Sequence, residues 1–570
     1  MLNSTLKTLL FIGLASTSLL AQTKKYNVLF IMVDDLRSPL EKDQMLTPNI
    51  DRLANQGVRF KRQYTQTATC GASRYGLLTG RRTNTTDNNV IGRKMKNLPS
   101  PESFPHLFKQ SGYKTIGIGK IGHTPDGLNY KYNGTGAGDL EMPRSWDQIG
   151  LTYGSWTYGW GSFFAYAGGK SREGSNKADP TYVAEWADVP DTGYPDGLIA
   201  KDAVQKLKEL KDSTFFLAVG FFKPHLPFNA PKKYWDLYDR DSLNLTPYGT
   251  MPNNTNATQS GEIKRYDSYG LTGEALERLR LHGYYACASY VDAQIGKVLN
   301  ALDSLGLREN TIVALWGDHG WHLGENTFWG KHTSLEWGVH SPLIISAPNH
   351  KKGVANGVVE AIDIYPTLAE LAGLTPPATV DGSSFAHLLR SPNAPGKSAA
   401  FSYWNNTSMR TDRYRLIVGP KVELYDYQTD PGGENNIAAQ NKAIVDSLTL
   451  ILNKENPSYP VIAGCPDSTY QEYTEIRTKD DQALCKVPVS IKTKLTNKEF
   501  IINQKSNQWL INLPHKSDYT ITVTDIAGKN IYSQNHKNTQ SISLNSPSSA
   551  GVYLLNVQSK EINISQKVIQ

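Results

Sequence analysis

Residues 26–33, YNVLFIMV, form a largely apolar, β-branched and aliphatic run that stops at two adjacent aspartates, Asp34 and Asp35. A strand that is apolar on both faces must be covered on both, the condition of a parallel sheet held between two helical layers. Similar runs recur along the chain with helical segments between them. TPNIDRLANQGVRF reads as a helix with an N-cap threonine, a proline in its first turn and a closing glycine. Helix PHLFKQSG, strand KTIGIG, helix PDGLIAKDAVQKLKELKD and strand STFFLAVGFF follow, then a helix around Cys287, strands TIVALWGDHG and SPLIISAP, and helix DIYPTLAELAG. This alternation predicts a doubly wound, parallel α/β sheet.

Open parallel sheets bind ligands beyond the carboxyl ends of their strands. The conspicuous polar residues fall there: Asp34-Asp35 ends one strand, Lys223-Pro224-His225 follows another, and Asp318-His319 ends a third. Neighbouring side chains within a strand point to opposite faces, so adjacent carboxylates converge only where the strand has turned into loop. Two such pairs at equivalent strand ends make a divalent-cation site, because Ca²⁺ and Mg²⁺ prefer carboxylate oxygens and an anionic substrate can complete the shell. Either pair alone reads better as an ordinary turn or helix cap, and it is the two together that point to a metal.

The ends of the chain have other textures. Residues 1–21 carry a lone charge, Lys7, before the apolar run LLFIGLASTSLL, which reads as a cleavable signal peptide rather than a membrane anchor. The run is shorter than the roughly 20 apolar residues of a span, and no other stretch qualifies as a transmembrane segment. The expected mature chain starts near Gln22 and is secreted, at the cell surface or periplasmic. Residues 22–390 hold the α/β pattern; 391–485 read as a smaller α+β unit containing YRLIVG and VELYDYQTDPGGENN; 486–570 alternate in short runs, as in a small β-sandwich. With 60 Lys and Arg against 53 Asp and Glu, the mild basic excess suits an anionic substrate and lacks the dense basic stripe of a nucleic-acid binder.

Four cysteines are too few for a disulfide scaffold, although Cys465 and Cys485 are placed to close one loop. Cys287 lies on a helical apolar pattern and reads as a small buried hydrophobe. Cys70, in TQTATCGASRYGLLTGRR, has three readings: a structural thiol, a nucleophile activated by a nearby histidine, or a precursor that is chemically converted. Exposure of a free thiolate to oxidation in an exported protein weighs against the second.

CGASRYGLLTGRR resembles the signature of the sulfatases that mature a cysteine into formylglycine, Cys-x-Pro/Ala-x-Arg followed by Leu-Thr-Gly. Cys70, Ala72 and Arg74 hold the defining positions, with Ala72 the less common variant. VLFIMVDDLR, GKIGH, FFLAVGFFKPHLPFNAPKKYWDLY, ALWGDHGWHLGE, WGKHTS and ELYDYQTDP extend the likeness from about residue 27 to about 436, toward the iduronate sulfatase branch. The resemblance implies an alkaline phosphatase-like α/β fold and a sulfuric ester hydrolase. It further implies one Ca²⁺ held by Asp34, Asp35, Asp318 and His319 together with residue 70, and a sulfate pocket lined by Arg74, Lys120, His123, His225 and Lys331. DIAGKNIY, SAGVYLLNV and the ending QKVIQ resemble type IX secretion sorting domains, beside which a carbohydrate-binding or purely structural β module stays open.

The implied chemistry accounts for these residue types. A formylglycine hydrate carries two hydroxyls on one carbon, one to attack sulfur and one to expel the sulfate afterwards. The cation lowers the pKa of the attacking hydroxyl. Arg74 and Lys120 hold the hydrate and the anion. His225, assisted by Lys331, protonates the leaving alkoxide, and His123 serves the second hydroxyl, two roles that the sequence allows to be exchanged. The implied partners are a sulfated oligo- or polysaccharide such as ulvan or a glycosaminoglycan, a formylglycine-generating maturase, and the secretion machinery. The alternatives are a phosphodiesterase or phosphonate hydrolase of the same fold, and a non-catalytic glycan-binding protein. His322, His332 and His340 lie near the same loops, and the aromatic stretch 152–169 either stacks on sugar rings or packs onto the domain.

Overall fold

The computed structural model describes residues 25–38, 43–82, 95, 98, 100–136 and 138–455, and, in the C-terminal segment, 501–505, 508–525, 530–545, 552–559 and 563–569. The signal peptide read at 1–21 and the Cys465 and Cys485 pair lie outside these residues. The described residues fall into two compact units, the first ending at 455 and the second beginning at 501.

The first unit is built on eight strands: β1 Asn27–Val33, β2 Val58–Tyr64, β3 Lys114–Gly119, β4 Gln148–Gly150, β5 Phe215–Phe221, β6 Thr311–Gly317, β7 Leu343–Ser346 and β8 Gly353–Glu360, in the order β8-β2-β7-β6-β1-β5-β3-β4. Successive residues of β1 divide between two cores. Val28, Phe30 and Met32 join one, and Leu29, Ile31 and Val33 the other. The first core takes residues from helices α2 (Cys70–Thr79), α3 (Phe104–Gln110) and α6 (Ile364–Leu371). The second takes them from α4 (Pro195–Leu210) and α5 (Gly273–Ser304), so the sheet is wound on both faces.

The sheet is mixed rather than wholly parallel, since β7 runs antiparallel to both β6 and β2. Its pairing explains this: Leu343 lies opposite Trp316, so residues 318–342 leave and re-enter the sheet at one end without a crossover helix. That connection carries Asp318, His319 and Lys331.

Helix α1 (Pro48–Gln56) begins where the sequence places it, but Thr47 makes no side-chain cap. Asp292 of α5 caps it instead, accepting from Asn49 N at 3.0 Å and Ile50 N at 2.8 Å. Gly57 is extended rather than left-handed; its glycine is required because a Cβ there would lie 2.4 Å from the Ile345 carbonyl oxygen.

A four-stranded antiparallel sheet, β9 Ala400–Tyr403, β10 Thr407–Arg410, β11 Tyr414–Val418 and β12 Val422–Asp426, with helix α7 Lys442–Glu455, completes the first unit. It is clamped by Glu336. Its carboxylate accepts from Arg410 Nε at 2.9 Å, from Arg415 Nη2 at 2.7 Å and from the Tyr64 hydroxyl at 2.8 Å. The second unit is a five-stranded antiparallel sheet whose two long strands, Gln508–Asp525 and Asn530–Asn545, close on a shared core of Trp509, Ile511, Ile521, Val523, Leu544 and Leu555.

Candidate active site

β1, β5 and β6 are hydrogen-bonded neighbours, with Val33 opposite both Gly317 and Phe221, so their carboxyl ends emerge side by side. Asp34 and Asp35 follow β1 directly. Asp35 has a φ of 59°, a left-handed turn that swings its side chain toward that of Asp34. The turn is held by Asp35 N donating to Asp318 Oδ1 at 3.0 Å and by the Tyr284 hydroxyl donating to the Asp35 carbonyl at 2.7 Å. Convergence of adjacent carboxylates is thus achieved as the strand becomes loop.

Cys70 is the first residue of α2, with its buried sulfur at the helix N-terminus, where backbone N–H groups favour anions. Its Sγ lies 3.1 Å from Lys331 Nζ, 3.3 Å from His319 Nε2 and 3.7 Å from Asp35 Oδ1. One turn on, Arg74 spans the two strand ends. Nε donates to Asp318 Oδ2 at 2.9 Å, Nη2 to Asp34 Oδ1 at 3.3 Å, and Nη1 to the Lys120 carbonyl. Lys120, which follows β3, donates to Asp34 Oδ2 at 2.7 Å, with its ammonium 4.3 Å from the Phe163 ring centroid.

His225 faces Asp35 Oδ2 at 3.8 Å, and Lys331 donates to Asp35 Oδ1 at 2.8 Å. His123 stands beside Trp160, ring centroids 5.6 Å apart, and its amide donates to Glu141 Oε1 at 2.8 Å. The structure therefore brings Asp34, Asp35, Cys70, Arg74, Lys120, His225, Asp318, His319 and Lys331 into one contact network. His123 joins it electrostatically, through Lys120, Asp34 and Arg74.

Glu262, in a stretch without a motif, also enters the site: Oε1 lies 3.1 Å from His225 Nε2 and Oε2 3.4 Å from Lys331 Nζ. No local signal in the sequence marks it, since Glu262 reads as one acid in an otherwise polar segment. His322 is structural, bonded to Thr333 Oγ1 at 2.8 Å and to the Glu325 carbonyl. His332 stacks on Trp404, and His340 bonds the Lys61 carbonyl. In the aromatic stretch Trp156, Trp160, Phe163, Phe164 and Tyr166 are all buried, which favours packing, and the Phe163 ring lies 4.5 Å from that of His225.

The charges are unevenly tuned. Against burial, which raises it, Lys120 and Arg74 hold Asp34 well below the usual carboxylate range. Burial pushes Asp35 up to about 7, opposed by Lys331 and reinforced by Asp34. Burial and Asp34 push the Cys70 thiol well up. Burial and Lys120 lower His123 to about 3, and burial and Lys331 lower His225 to about 4.

The donor set fits a hard cation. Ligand atoms of Asp34, Asp35, Cys70 and His225 lie within 4.8 Å of one another, as do those of Cys70, Asp318 and His319. Asp35 Oδ2 is buried without a hydrogen bond, an oxygen that a cation would satisfy.

Residues 26–374 match the family model Sulfatase. The chain is a member of the sulfatase family. As such it is a sulfuric ester hydrolase on the alkaline phosphatase-like fold. The end of the sulfatase domain and the small sheet, residues 324–456, match the model N-sulphoglucosamine sulphohydrolase, C-terminal, and residues 503–570 match Secretion system C-terminal sorting domain. The chain is 31% identical to a sulfatase of Formosa agariphila over 79% of its own length and 90% of the relative's. It is 32% identical to iduronate 2-sulfatase of Mus musculus over 64% of its length and 71% of that protein's. Among solved structures, phosphonate monoester hydrolase SpPMH from Silicibacter pomeroyi shares the fold at a TM-score of 0.60 and 22% identity, covering 76% of this chain and 96% of that one. No helix among the described residues is long and apolar enough to cross a membrane.

Proposed function

We propose that this sulfatase removes sulfate from a sulfated polysaccharide containing uronate, such as ulvan or a glycosaminoglycan, using a formylglycine made from Cys70 and one Ca²⁺. The observation that carries the reading is the position of Cys70, with its sulfur within 3.7 Å of Lys331, His319 and Asp35 at a helix N-terminus. Asp34, Asp35, Asp318 and His319 would hold the cation. Bound there, it supplies a Lewis acid that draws charge from sulfate oxygens and lowers the pKa of an attacking hydroxyl. The aldehyde hydrate of residue 70 would supply the hydroxyl pair.

The chain's own side chains do the remaining work. Arg74 fixes Asp34 and Asp318 relative to each other, with its planar fork satisfied on both sides. Lys120 and Lys331 flank residue 70 and offset the charge of an entering sulfate. His225, with Lys331 beside it, would deliver the proton to the leaving sugar oxygen, and His123 would serve the second hydroxyl. Phe163, Phe164 and Trp160 exclude water behind these groups.

The uronate preference is supported by the relative named iduronate 2-sulfatase. Export to the medium or cell surface is supported by the C-terminal sorting domain at 503–570, together with the leader read at 1–21. The domain limits that go with this reading are 22–390 for the catalytic part, 391–485 for the α+β part and 486–570 for the sorting module. Its partners are the maturase and the secretion machinery.

The test is desulfation of a panel of sulfated uronate oligosaccharides and glucosamine sulfates, with a phosphodiester as the competing substrate. Protein from the native host is used, and its Cys70 peptide is read by mass spectrometry. Sulfate release accompanied by an aldehyde at position 70 is expected. An unmodified thiol in fully active protein, or turnover of the phosphodiester alone, would overturn the reading.

A further inference from the structure

The aromatic stretch 152–169 packs inward, and an arginine just beyond it is buried alongside. Residues 164–172 fold back on themselves: Arg172 N donates to the Phe164 carbonyl at 3.1 Å and Tyr166 N to the Lys170 carbonyl at 2.8 Å, with Ala165 and Ser171 bridged between them. This lays the Arg172 guanidinium on its cross-strand neighbour, its carbon 3.5 Å from the Phe164 ring centroid. The same ring lies 6.1 Å from that of His225, and Phe163 beside it lies 4.5 Å from His225 and 4.3 Å from the Lys120 ammonium. Arg172 therefore stands at the margin of the active site, one aromatic ring away from it.

Its hydrogen bonds leave part of the guanidinium uncommitted. Nε donates to Glu173 Oε1 at 3.0 Å, and Nη1 donates to the Tyr266 hydroxyl at 2.9 Å. The second hydrogen of Nη1 and both of Nη2 meet no acceptor among the described residues, and Nη2 is not sealed from solvent. The charge is undermatched as well. Arg172 is 5% exposed, whereas Glu173, its ionic partner, has a side chain 36% exposed and shares its charge with water. Part of the cost of burying this cation is thus left for a second anion to offset.

We propose that Arg172 is a specificity-determining residue, binding the carboxylate of the uronate ring that carries the scissile sulfate through its outer Nη1 and Nη2 hydrogens. This rests on the reading of the substrate as a uronate-containing glycan. A planar fork of N–H groups matches the two oxygens of a carboxylate, as a lysine ammonium does not. Stacking on Phe164 and the bond to Tyr266 set the plane of the fork before substrate arrives, so little ordering is lost on binding. Arg172 takes no part in bond breaking; it selects the sugar that is presented to the reacting groups.

The experiment compares wild type, Arg172→Gln and Arg172→Lys on the best sulfated uronate oligosaccharide of the panel, on the same oligosaccharide with its carboxyl groups reduced to primary alcohols, and on 4-nitrophenyl sulfate. In wild type, carboxyl reduction is expected to lower kcat/KM about 10- to 100-fold, the worth of one hydrogen-bonded charge pair. Arg172→Gln should show that loss on the unreduced oligosaccharide, carried mainly by KM, and change the other two substrates by less than about threefold. Arg172→Lys keeps the charge without the fork and should fall between. Equal losses on all three substrates would make Arg172 a structural clamp and overturn the inference, as would a wild type indifferent to carboxyl reduction. If wild type discriminates and both variants keep that discrimination, the inference falls and the uronate reading stands. If wild type desulfates glucosamine sulfates but no uronate oligosaccharide, the uronate reading falls and the inference with it. Should Arg172→Gln not fold, Arg172→Lys decides alone, and an undiminished preference for the carboxylate overturns the inference.

Discussion

Replacing Glu336 by alanine is expected to destabilise the first unit as a whole. The carboxylate is buried and accepts from Arg410, Arg415 and Tyr64, all buried; Arg415 lies in a strand of the small sheet, whereas Tyr64 ends β2 of the large one. Removing one partner of a buried ion pair costs about 3–5 kcal/mol, because the surviving charges stay desolvated. The unit spans roughly 430 residues. At about 2.1 cal/mol/K per residue its unfolding entropy is about 0.9 kcal/mol/K, so the midpoint should fall by about 3–6 °C. Differential scanning calorimetry of the full chain measures this shift.

The pH dependence has a definite sign. Against burial, Arg410 and Arg415 hold Glu336 well below its usual range when folded. A lowered folded pKa gives stability that is present above the unfolded value, about 4.3, and is lost as pH falls toward the folded one. The gap between wild type and Glu336→Gln should therefore be constant above about pH 5 and shrink below about pH 4. A loss under about 1 kcal/mol, a gap that widens in acid, or separate melting of the small sheet would refute this account.

Three further outcomes are expected. Asp292→Ala should cost about 1–2 kcal/mol in denaturant unfolding and Thr47→Ala almost nothing, since the amides at the start of α1 bond to Asp292. Gly220→Ala should lose about 1–3 kcal/mol and reduce sulfate release, because a Cβ would lie 2.0 Å from the Lys120 carbonyl oxygen and displace that residue. Chelation with EGTA should abolish activity reversibly and lower the calorimetric midpoint by about 3 °C from a calcium level of about 100 Kd, equivalent to about 2.7 kcal/mol.

What the sequence made legible follows from how each signal is encoded. The strand carrying Val28 to Val33 is apolar at every position, and only a doubly covered strand accepts that. Asp34-Asp35, Cys70 and Asp318-His319 stand at strand and helix ends, where local pattern fixes position. The direction of β7 was not legible, because a four-residue apolar run has no polarity and the 318–342 connection resembles any crossover of its length. Neither was the cap on α1: Thr47 has the right chemistry, yet Asp292 supplies it from 245 residues away, a contact that only packing creates. Glu262 is the clearest case, since nothing local distinguishes it from solvated acids until the segment beside it is registered against Trp329 and His332.

The locked register of β6, β1 and β5 bears on re-engineering. Asp318, Asp34 and His225 hang from three neighbours paired residue for residue, so deleting one residue from any of them would exchange inward and outward side chains along that strand and pull the reacting atoms apart.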